Sequence, residues 1–363
     1  MKQLSYAVIF AVIGGIVYMG LNQENKMVRK FEFTYQVDLV DDPNSEETMK
    51  AWIPVPQSID NVQTVSNHRI DYNKNELECN EFTEDVHKNK YYFCEAKNDK
   101  IKKTSVVLIW DVERMEIKKI NHKGVDPNIY KKPNKMVPVS NILFSTVIKE
   151  GNLKSSNIKQ IYKHVLEGMH YGKPTNDIND PNHKYISGGK NKNTGKEWLP
   201  KDITYGREKK TQDQLVESQN KSKKYAYGNG NATYACDIGV GNCTDYHSYF
   251  MSLCRTLNVP ARFHMGFNIP PDESEGGEGV VKGYHCWADY YKEGRGWFPV
   301  DISEADKAPD KVEYFFGTLD KNRVEFTTGR DLKLKDRNKP ENFFIYPIVE
   351  GTEFSKSFKY KNL

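Results

Sequence analysis

The chain has 363 residues, and its 53 Lys and Arg against 49 Asp and Glu give a formal net charge of +4 at pH 7. That length allows two domains. So small a net charge excludes the strongly basic surface by which many proteins bind nucleic acid, so no nucleic-acid partner is predicted.

The first residues form an apolar segment. Leu4–Leu21 carries no charged side chain and follows Lys2. Its length is near the lower limit for crossing a bilayer, which takes about 17–25 residues. A cleavable signal peptide has a shorter apolar region and small residues before the cut, and no convincing site of that kind is present. The pattern favours an uncleaved signal anchor over a signal peptide within residues 1–27, and hence a membrane contact through an N-terminal helix.

Several short strands are predicted over residues 28–125. Phe31–Leu39 alternates apolar and polar residues, as a half-buried strand does, and Val106–Ile117 alternates in the same way. Ala51–Pro56 reads as a strand that prolines end. Polar, turn-rich segments separate these runs. The pattern predicts an antiparallel β-sandwich domain.

Six cysteines raise the question of disulfides. Cys79 and Cys94 lie on two predicted neighbouring strands and are candidates for a bridge between them. Cys236 lies seven residues before Cys243. The sequence leaves open whether Cys236 is free or is paired with one of the other cysteines, Cys243, Cys254 or Cys286.

A second domain is predicted over residues 126–363. Apolar residues at helical spacing predict an amphipathic helix over Ile158–Met169, with Ser155 or Ser156 as its N-terminal cap. Residues 173–231 then become polar and rich in Lys, Asn, Gly and Ser. Such a composition buries little, so a surface insertion is predicted there.

A cysteine begins the next predicted helix. After Cys243 the apolar residues recur at helical spacing until Val259-Pro260, where proline ends the helix. Gly239 and Gly241 allow the backbone to turn sharply into Cys243. A thiol in the first turn of a helix lies beside unpaired N–H groups, and these favour the thiolate.

A histidine and an aspartate follow on predicted strands. Tyr284–Tyr291 reads as a strand with His285 on one face and Cys286 on the other, so Cys286 is predicted to be core. Trp297–Asp301 reads as a neighbouring strand that carries Asp301. Cys243, His285 and Asp301 then supply a nucleophile, its base and the group that orients the base.

A metal site is the main structural alternative. Cys243 and His247 are four residues apart on one helix face and could share a zinc ion, but no second ligand pair of suitable spacing accompanies them. No acidic loop with calcium-binding spacing is evident either. The sequence therefore predicts neither a metal nor a cofactor.

Four segments together carry a resemblance to a known family. They are, in chain order, Gly241–Asp245, Leu257–Arg262, His285–Ala288 and Trp297–Asp301. With these segments in this order, the chain resembles the transglutaminase-like superfamily, which has the papain-like cysteine fold, and its bacterial members in particular. The resemblance implies an α+β catalytic domain, in which a helix carrying Cys packs on an antiparallel sheet. It also implies export, since relatives with this layout are exported: the chain is expected to be membrane-anchored or periplasmic or extracellular.

The implied activity is acyl transfer at amide bonds of peptides or proteins by a Cys-His-Asp triad. A thioester intermediate is resolved by an amine in cross-linking and by water in deamidation or hydrolysis. Two alternatives stay open, a cysteine peptidase or amidase of cell-envelope peptides and a non-catalytic protein-binding scaffold. The sequence does not choose the substrate, the acceptor or the second oxyanion donor.

Overall fold

The computed structural model describes residues 28–40, 47–97, 103–118, 120, 124–172, 201–215, 217 and 227–363. The predicted membrane segment, Leu4–Leu21, lies outside these residues. Within the described ranges, no helix is both long and apolar enough to cross a membrane.

The structure confirms a mixed α+β fold with antiparallel sheets. In chain order the strands are β1 (Val28–Val40), β2 (Lys50–Val55), β3 (Gln63–Tyr72), β4 (Leu77–Thr83), β5 (Lys90–Ala96), β6 (Thr104–Met115), β7 (His170–Tyr171), β8 (Val240–Gly241), β9 (Ala261–Asn268), β10 (Glu278–Val280), β11 (Tyr284–Lys292), β12 (Gly296–Val300), β13 (Arg323–Thr328), β14 (Ile348–Glu350) and β15 (Glu353–Asn362). The helices are α1 (Ile142–Glu150), α2 (Ile158–Gly168), α3 (Ala232–Ile238), α4 (Cys243–Thr256) and α5 (Ile302–Lys307).

Two sheets form the predicted sandwich. One has the strand order β10-β15-β1-β6-β3 and the other has the order β14-β2-β5-β4. The alternation predicted for β1 is present, because every second residue from Arg29 to Leu39 is buried. Cys79 and Cys94 lie opposite each other on β4 and β5 and form a disulfide, which confirms that pairing.

The C-terminal part of the chain completes both sandwich sheets. β15 pairs along β1 and also with β10, and β14 pairs with β2. These three strands come from the part assigned to the second domain, residues 126–363. The separation predicted at residue 125 is therefore crossed by strand pairing, and the C-terminal strands fix the second part of the chain to the first.

The third large sheet carries the catalytic region and has the order β12-β11-β9-β13. Helix α4 packs on one face of it, where the rings of Phe250 and Tyr290 lie 6.3 Å apart. Phe267 of β9 and Phe326 of β13 pack against Phe33 of the sandwich at 5.3 and 5.5 Å. The sheet is thus covered by a helix and by the sandwich.

One local prediction is wrong, and a second holds for most but not all of the described residues that it concerns. Helix α2 is capped by Asn157 and not by Ser155 or Ser156, since the Asn157 side chain accepts from the Gln160 N–H at 3.2 Å. Part of the predicted polar insertion is buried: Tyr205 and Leu215 pack in a small apolar cluster with residues of α3 and β8. A few apolar residues were enough to bury these parts of a polar segment.

Candidate active site

Cys243 is the first residue of helix α4, and the local sequence fixes that helix start. The Asn242 side chain accepts from the Thr244 N–H at 2.9 Å, and the Asp245 carboxylate accepts from the Asn242 N–H at 3.1 Å. This reciprocal cap satisfies donors that a helix start otherwise leaves unpaired. The Gly230 N–H also donates to Asp245, at 3.0 Å. The thiol is therefore carried on a rigid turn.

The two glycines before Cys243 are needed for different reasons. Gly239 has a φ of +68°, and a Cβ there would lie 2.4 Å from the Gly206 nitrogen. Gly241 has ordinary backbone angles, but a Cβ would lie 2.5 Å from the Cβ of Asp245. The first glycine permits a left-handed turn, and the second lets the chain pass close to the cap of α4.

The structure brings Cys243, His285 and Asp301 together. Cys243 and His285 share a hydrogen bond between their side chains. The other ring nitrogen of His285, Nε2, lies 2.7 Å from Asp301 Oδ2. All three residues are buried, with Cys243 3% exposed. This order of contacts is the one that a nucleophile, a base and an orienting carboxylate require.

Asp301 does not lie on a strand, and in this respect the sequence prediction is wrong. β12 ends at Val300, and Asp301 is the N-cap of α5. Its Oδ1 atom accepts from the Glu304 N–H and from the Ser303 hydroxyl, both at 3.2 Å. A capping aspartate must turn its carboxylate toward the helix start, which ends the extended backbone one residue early. The cap also holds the carboxylate in place for His285.

Electrostatics favour a thiolate and a protonated histidine. Burial opposes ionisation of Cys243, but hydrogen bonds from Cys286 and His285 and the charges of His285 and Lys307 hold its pKa well below the ordinary thiol value. Burial also disfavours a charged His285, yet the Asp301 carboxylate and the thiolate raise its pKa to about 10. Both shifts therefore favour a thiolate–imidazolium pair over the neutral pair.

Arg323 supports the carboxylate, and its role was not predicted. Its Nη1 atom donates to Asp301 Oδ2 at 3.1 Å, and its Nη2 atom donates to Asp320 at 2.6 Å. Burial penalises Asp301, but the charges of His285 and Arg323 lower its pKa well below the usual range. Asp301 thus stays ionised while it is fully buried. The sequence gives no sign that Arg323 reaches Asp301.

Cys286 and His247 lie directly behind the nucleophile. Cys286 is buried, as predicted, but it faces α4 and shares a hydrogen bond with Cys243. Its Sγ atom also lies 3.6 Å from His247 Nδ1. The sequence predicted the alternation of β11, but it did not predict that α4 covers the face that carries Cys286. Cys286 is therefore part of the thiol environment and is more than core filling.

Both ring nitrogens of His247 have protein partners. Nδ1 lies 2.7 Å from the Cys243 carbonyl, and Nε2 accepts from the Ile302 N–H at 3.1 Å. Burial lowers the pKa of His247 to about 4, so it is neutral. These contacts leave no lone pair for a zinc ion shared with Cys243. Within the described ranges, no cluster of three or more His, Cys, Asp or Glu side chains is arranged to hold a metal ion.

The other three free cysteines have raised pKa values. Cys236, Cys254 and Cys286 are free and buried, which settles the open question about Cys236 in favour of the unpaired form. Burial raises the pKa of Cys236 to about 11. Cys243 alone among the four free cysteines has a lowered pKa, so it is the thiol that ionises first.

Comparisons with known proteins give one family match and two similar proteins. Residues 196–302 match the family model described as the transglutaminase-like superfamily. An uncharacterized protein of Haemophilus influenzae is 25% identical over 406 aligned positions, which cover 99% of this chain and 98% of that protein. A solved structure of a proposed cysteine protease from Cytophaga hutchinsonii is 13% identical, covers 93% of this chain and 98% of that one, and has a TM-score of 0.48. A TM-score of that size carries no weight here.

The family match includes all three residues that the structure brings together, and the helix on an antiparallel sheet is the arrangement that the matching segments predict. The part of the chain that holds Cys243, His285 and Asp301 therefore matches the transglutaminase-like superfamily.

Proposed function

We propose that the chain is a thiol acyl-transfer enzyme that acts on amide bonds of peptides or proteins. The observation that carries the proposal is the continuous chain of contacts from Cys243 through His285 to Asp301, with the thiol in the first turn of a helix. Its acid–base properties match the task, since the thiol ionises early and the imidazole stays protonated to serve the leaving group.

The first half-reaction forms a thioester. The Cys243 thiolate attacks the amide carbon, and the carbonyl oxygen gains negative charge. The Cys243 N–H, at the positive end of α4, is placed to stabilise that charge. The His285 imidazolium then gives its proton to the departing nitrogen, so ammonia or an amine leaves and a neutral imidazole remains. Asp301 keeps the imidazole oriented throughout.

The second half-reaction regenerates the free enzyme from the thioester. The neutral His285 takes a proton from water or from an amine as either one attacks the thioester carbon. Cys243 leaves as a thiolate, and His285 is again an imidazolium. Water gives deamidation or hydrolysis, and an amine gives a new amide. Hydrolysis of peptides, including cell-envelope peptides, is the second candidate activity, because it uses the same three side chains without a site for an amine.

One experiment separates these outcomes. The purified protein is incubated with an unfolded, glutamine-rich protein such as casein, with and without a primary amine, and the products are weighed by mass spectrometry. An amine adduct indicates cross-linking activity, a deamidated chain indicates hydrolysis at side chains, and shorter fragments indicate peptidase activity. If wild type and Cys243→Ala give identical products, the chain acts as a binding scaffold and the proposal is wrong.

Export remains part of the proposal. It is supported by the disulfide between Cys79 and Cys94, because disulfides persist in oxidising compartments. We propose that the folded part is held outside the cytoplasm by the predicted N-terminal segment. A reporter that is active only outside the cytoplasm, fused after Leu363, is expected to be active. An inactive fusion of a stable protein would contradict this location.

A further inference from the structure

A cleft of about 790 Å³ lies beside the candidate active site. Its walls come from residues after β9, from the connection between β10 and β11, and from α5 with the segment that follows it. Glu304 forms part of one wall, and its Oε1 atom is 3.8 Å from His285 Nε2. Glu304 therefore connects the wall of the cleft to the catalytic histidine.

One side of the cleft is the free edge of a β-strand. The Val281 N–H donates to the Phe358 carbonyl and the Asn362 N–H donates to the Gly277 carbonyl, so these residues of the β10 region face β15. Because neighbouring residues of a strand face opposite ways, the backbone groups of Val280 and Lys282 point away from β15. In the part of the chain that the structure describes, no strand pairs with this outer edge.

The cleft walls suit a peptide better than a polyanion. They include apolar side chains, and the Val280 side chain is 58% exposed. The ionisable side chains have both signs, so the cleft has no strong positive field. The apolar lining residues are Ile269, Pro270, Pro271, Val280, Val281, Ala308 and Phe315. The charged ones are Glu116, Lys282, Glu304, Lys311 and Asp320.

The outer edge continues directly into the catalytic strand. Gly283 and Tyr284 connect it to His285, and Gly283 itself lines the cleft. A peptide strand paired with Val280 and Lys282 would run alongside the chain that leads to the catalytic histidine. Backbone pairing of this kind supplies affinity for extended peptides of many sequences, and the walls supply side-chain preference.

We propose that this cleft binds an extended segment of the substrate polypeptide, which adds as a strand to the outer edge of β10. The inference rests on the proposed function and sharpens it, since it names the substrate as an extended peptide chain of several residues. A small isolated amide would not use this edge. The bound segment presents its amide toward Cys243, past Gly283 and Tyr284.

The test uses alkylation of Cys243 in the full folded chain by two capped peptidyl chloromethyl ketones, one with a single residue and one with three. Iodoacetamide, which has no peptide part, is the reference reagent. In wild type we expect the three-residue probe to react at least about fivefold faster than the single-residue probe, the factor that one net hydrogen bond supplies.

Val280→Pro removes one outward N–H without removing a bond to β15, because proline is tolerated at a free strand edge. We expect it to abolish the advantage of the longer probe. Glu278→Pro is the matched control: it removes an N–H from the same edge but outside the cleft, and the advantage is expected to persist. Ala308→Trp narrows the cleft from the opposite wall and is expected to abolish the advantage as well, which covers a folding failure of Val280→Pro.

The proposal is overturned if the longer probe has no advantage in wild type, or if the advantage survives in both Val280→Pro and Ala308→Trp. A Cys243 that resists iodoacetamide in wild type would instead contradict the proposed function. The two failures are therefore distinguishable.

Discussion

Two buried histidines lie on neighbouring strands of the same sheet and have opposite uses. His264 is on β9 and His285 is on β11, and their ring centroids lie 6.0 and 6.2 Å from that of Trp287. Both are bonded to carboxylates. Burial disfavours the charged form of each ring, yet the neighbouring carboxylates raise the pKa of His264 to about 9 and that of His285 to about 10.

The difference is in what the second ring nitrogen contacts. His264 Nδ1 is 2.7 Å from Glu325 and its Nε2 is 3.2 Å from Asp289, so both sides of the ring face acids. Arg262 pairs with Asp289, and Arg114 of the sandwich lies 3.8 Å from Glu325. His264 therefore links β9 to its two neighbouring strands, and Glu325 connects that sheet to Arg114 of the sandwich. His285 uses one nitrogen for Asp301 and keeps the other for a thiol, which is what makes a catalytic base.

The largest expected effect comes from removing the thiol. Cys243→Ala should abolish acyl transfer and labelling by acyl electrophiles, because no other free cysteine has a lowered pKa. A small residue at a helix start costs little packing, so the unfolding transition should be nearly unchanged. Intact-mass analysis and thermal unfolding provide the two measurements. Wild-type turnover in this variant would remove Cys243 from the mechanism.

The second prediction sets the two histidines against each other. His285→Ala should lower turnover by a factor on the order of 10⁴ or more with a stable fold, because the thiol loses its base. His264→Gln should keep the Cys243 labelling rate and lower the free energy of unfolding by about 3–5 kcal/mol, as loss of one partner of a buried ion pair does. Steady-state rates and denaturant unfolding measure the two effects. Equal effects of the two variants on turnover would contradict the assignment of His285 to catalysis and His264 to stability.

The third prediction compares the two aspartates. Asp301→Asn should lower turnover by about 10²- to 10⁴-fold, since the imidazole loses its orienting charge, while a strong electrophile still labels Cys243. Asp289→Asn, its counterpart beside His264, should reduce stability and leave turnover of the folded fraction close to wild type. Rates normalised to folded protein provide the measurement. Full turnover in Asp301→Asn would show that the contacts of Asp301 stabilise the fold and do not contribute to catalysis.

The smallest effect is in the dependence of stability on pH. The pKa of His264 is raised in the folded state from an ordinary 6.5 to about 9. Its contribution is therefore fully present below pH ~6.5 and is lost as the pH rises through 9. The free energy of unfolding of wild type should decrease over that interval more than that of His264→Gln. Denaturant titrations at a series of pH values test this, and parallel curves would contradict it.

The sequence predicted the candidate site better than it predicted the fold around it. Local residue patterns predict that Cys243 begins a helix and that His285 lies on an alternating strand. The contacts of Arg323 with Asp301 and of Cys286 with Cys243 depend on which face α4 covers and where β13 pairs. Those are properties of the folded chain, and no local pattern encodes them.

The strand pairing of the sandwich could not be predicted for the same reason. The β1 alternation is local and was predicted over Phe31–Leu39, but its partner β15 is more than three hundred residues away along the chain. At Asp301 the error is a local one. The run Trp297–Asp301 reads as a strand, yet its last residue is the N-cap of the next helix. Whether Asp301 ends the strand or caps a helix depends on where α5 begins.

The most direct test of the central claim is the pH dependence of Cys243 alkylation, followed residue by residue by mass spectrometry in wild type and in His285→Ala. The contacts of the thiol predict a wild-type midpoint well below the ordinary value of about 8.5, and a higher midpoint when the imidazolium is removed. The same high midpoint in both proteins would contradict a thiolate–imidazolium pair, and with it the acyl-transfer mechanism.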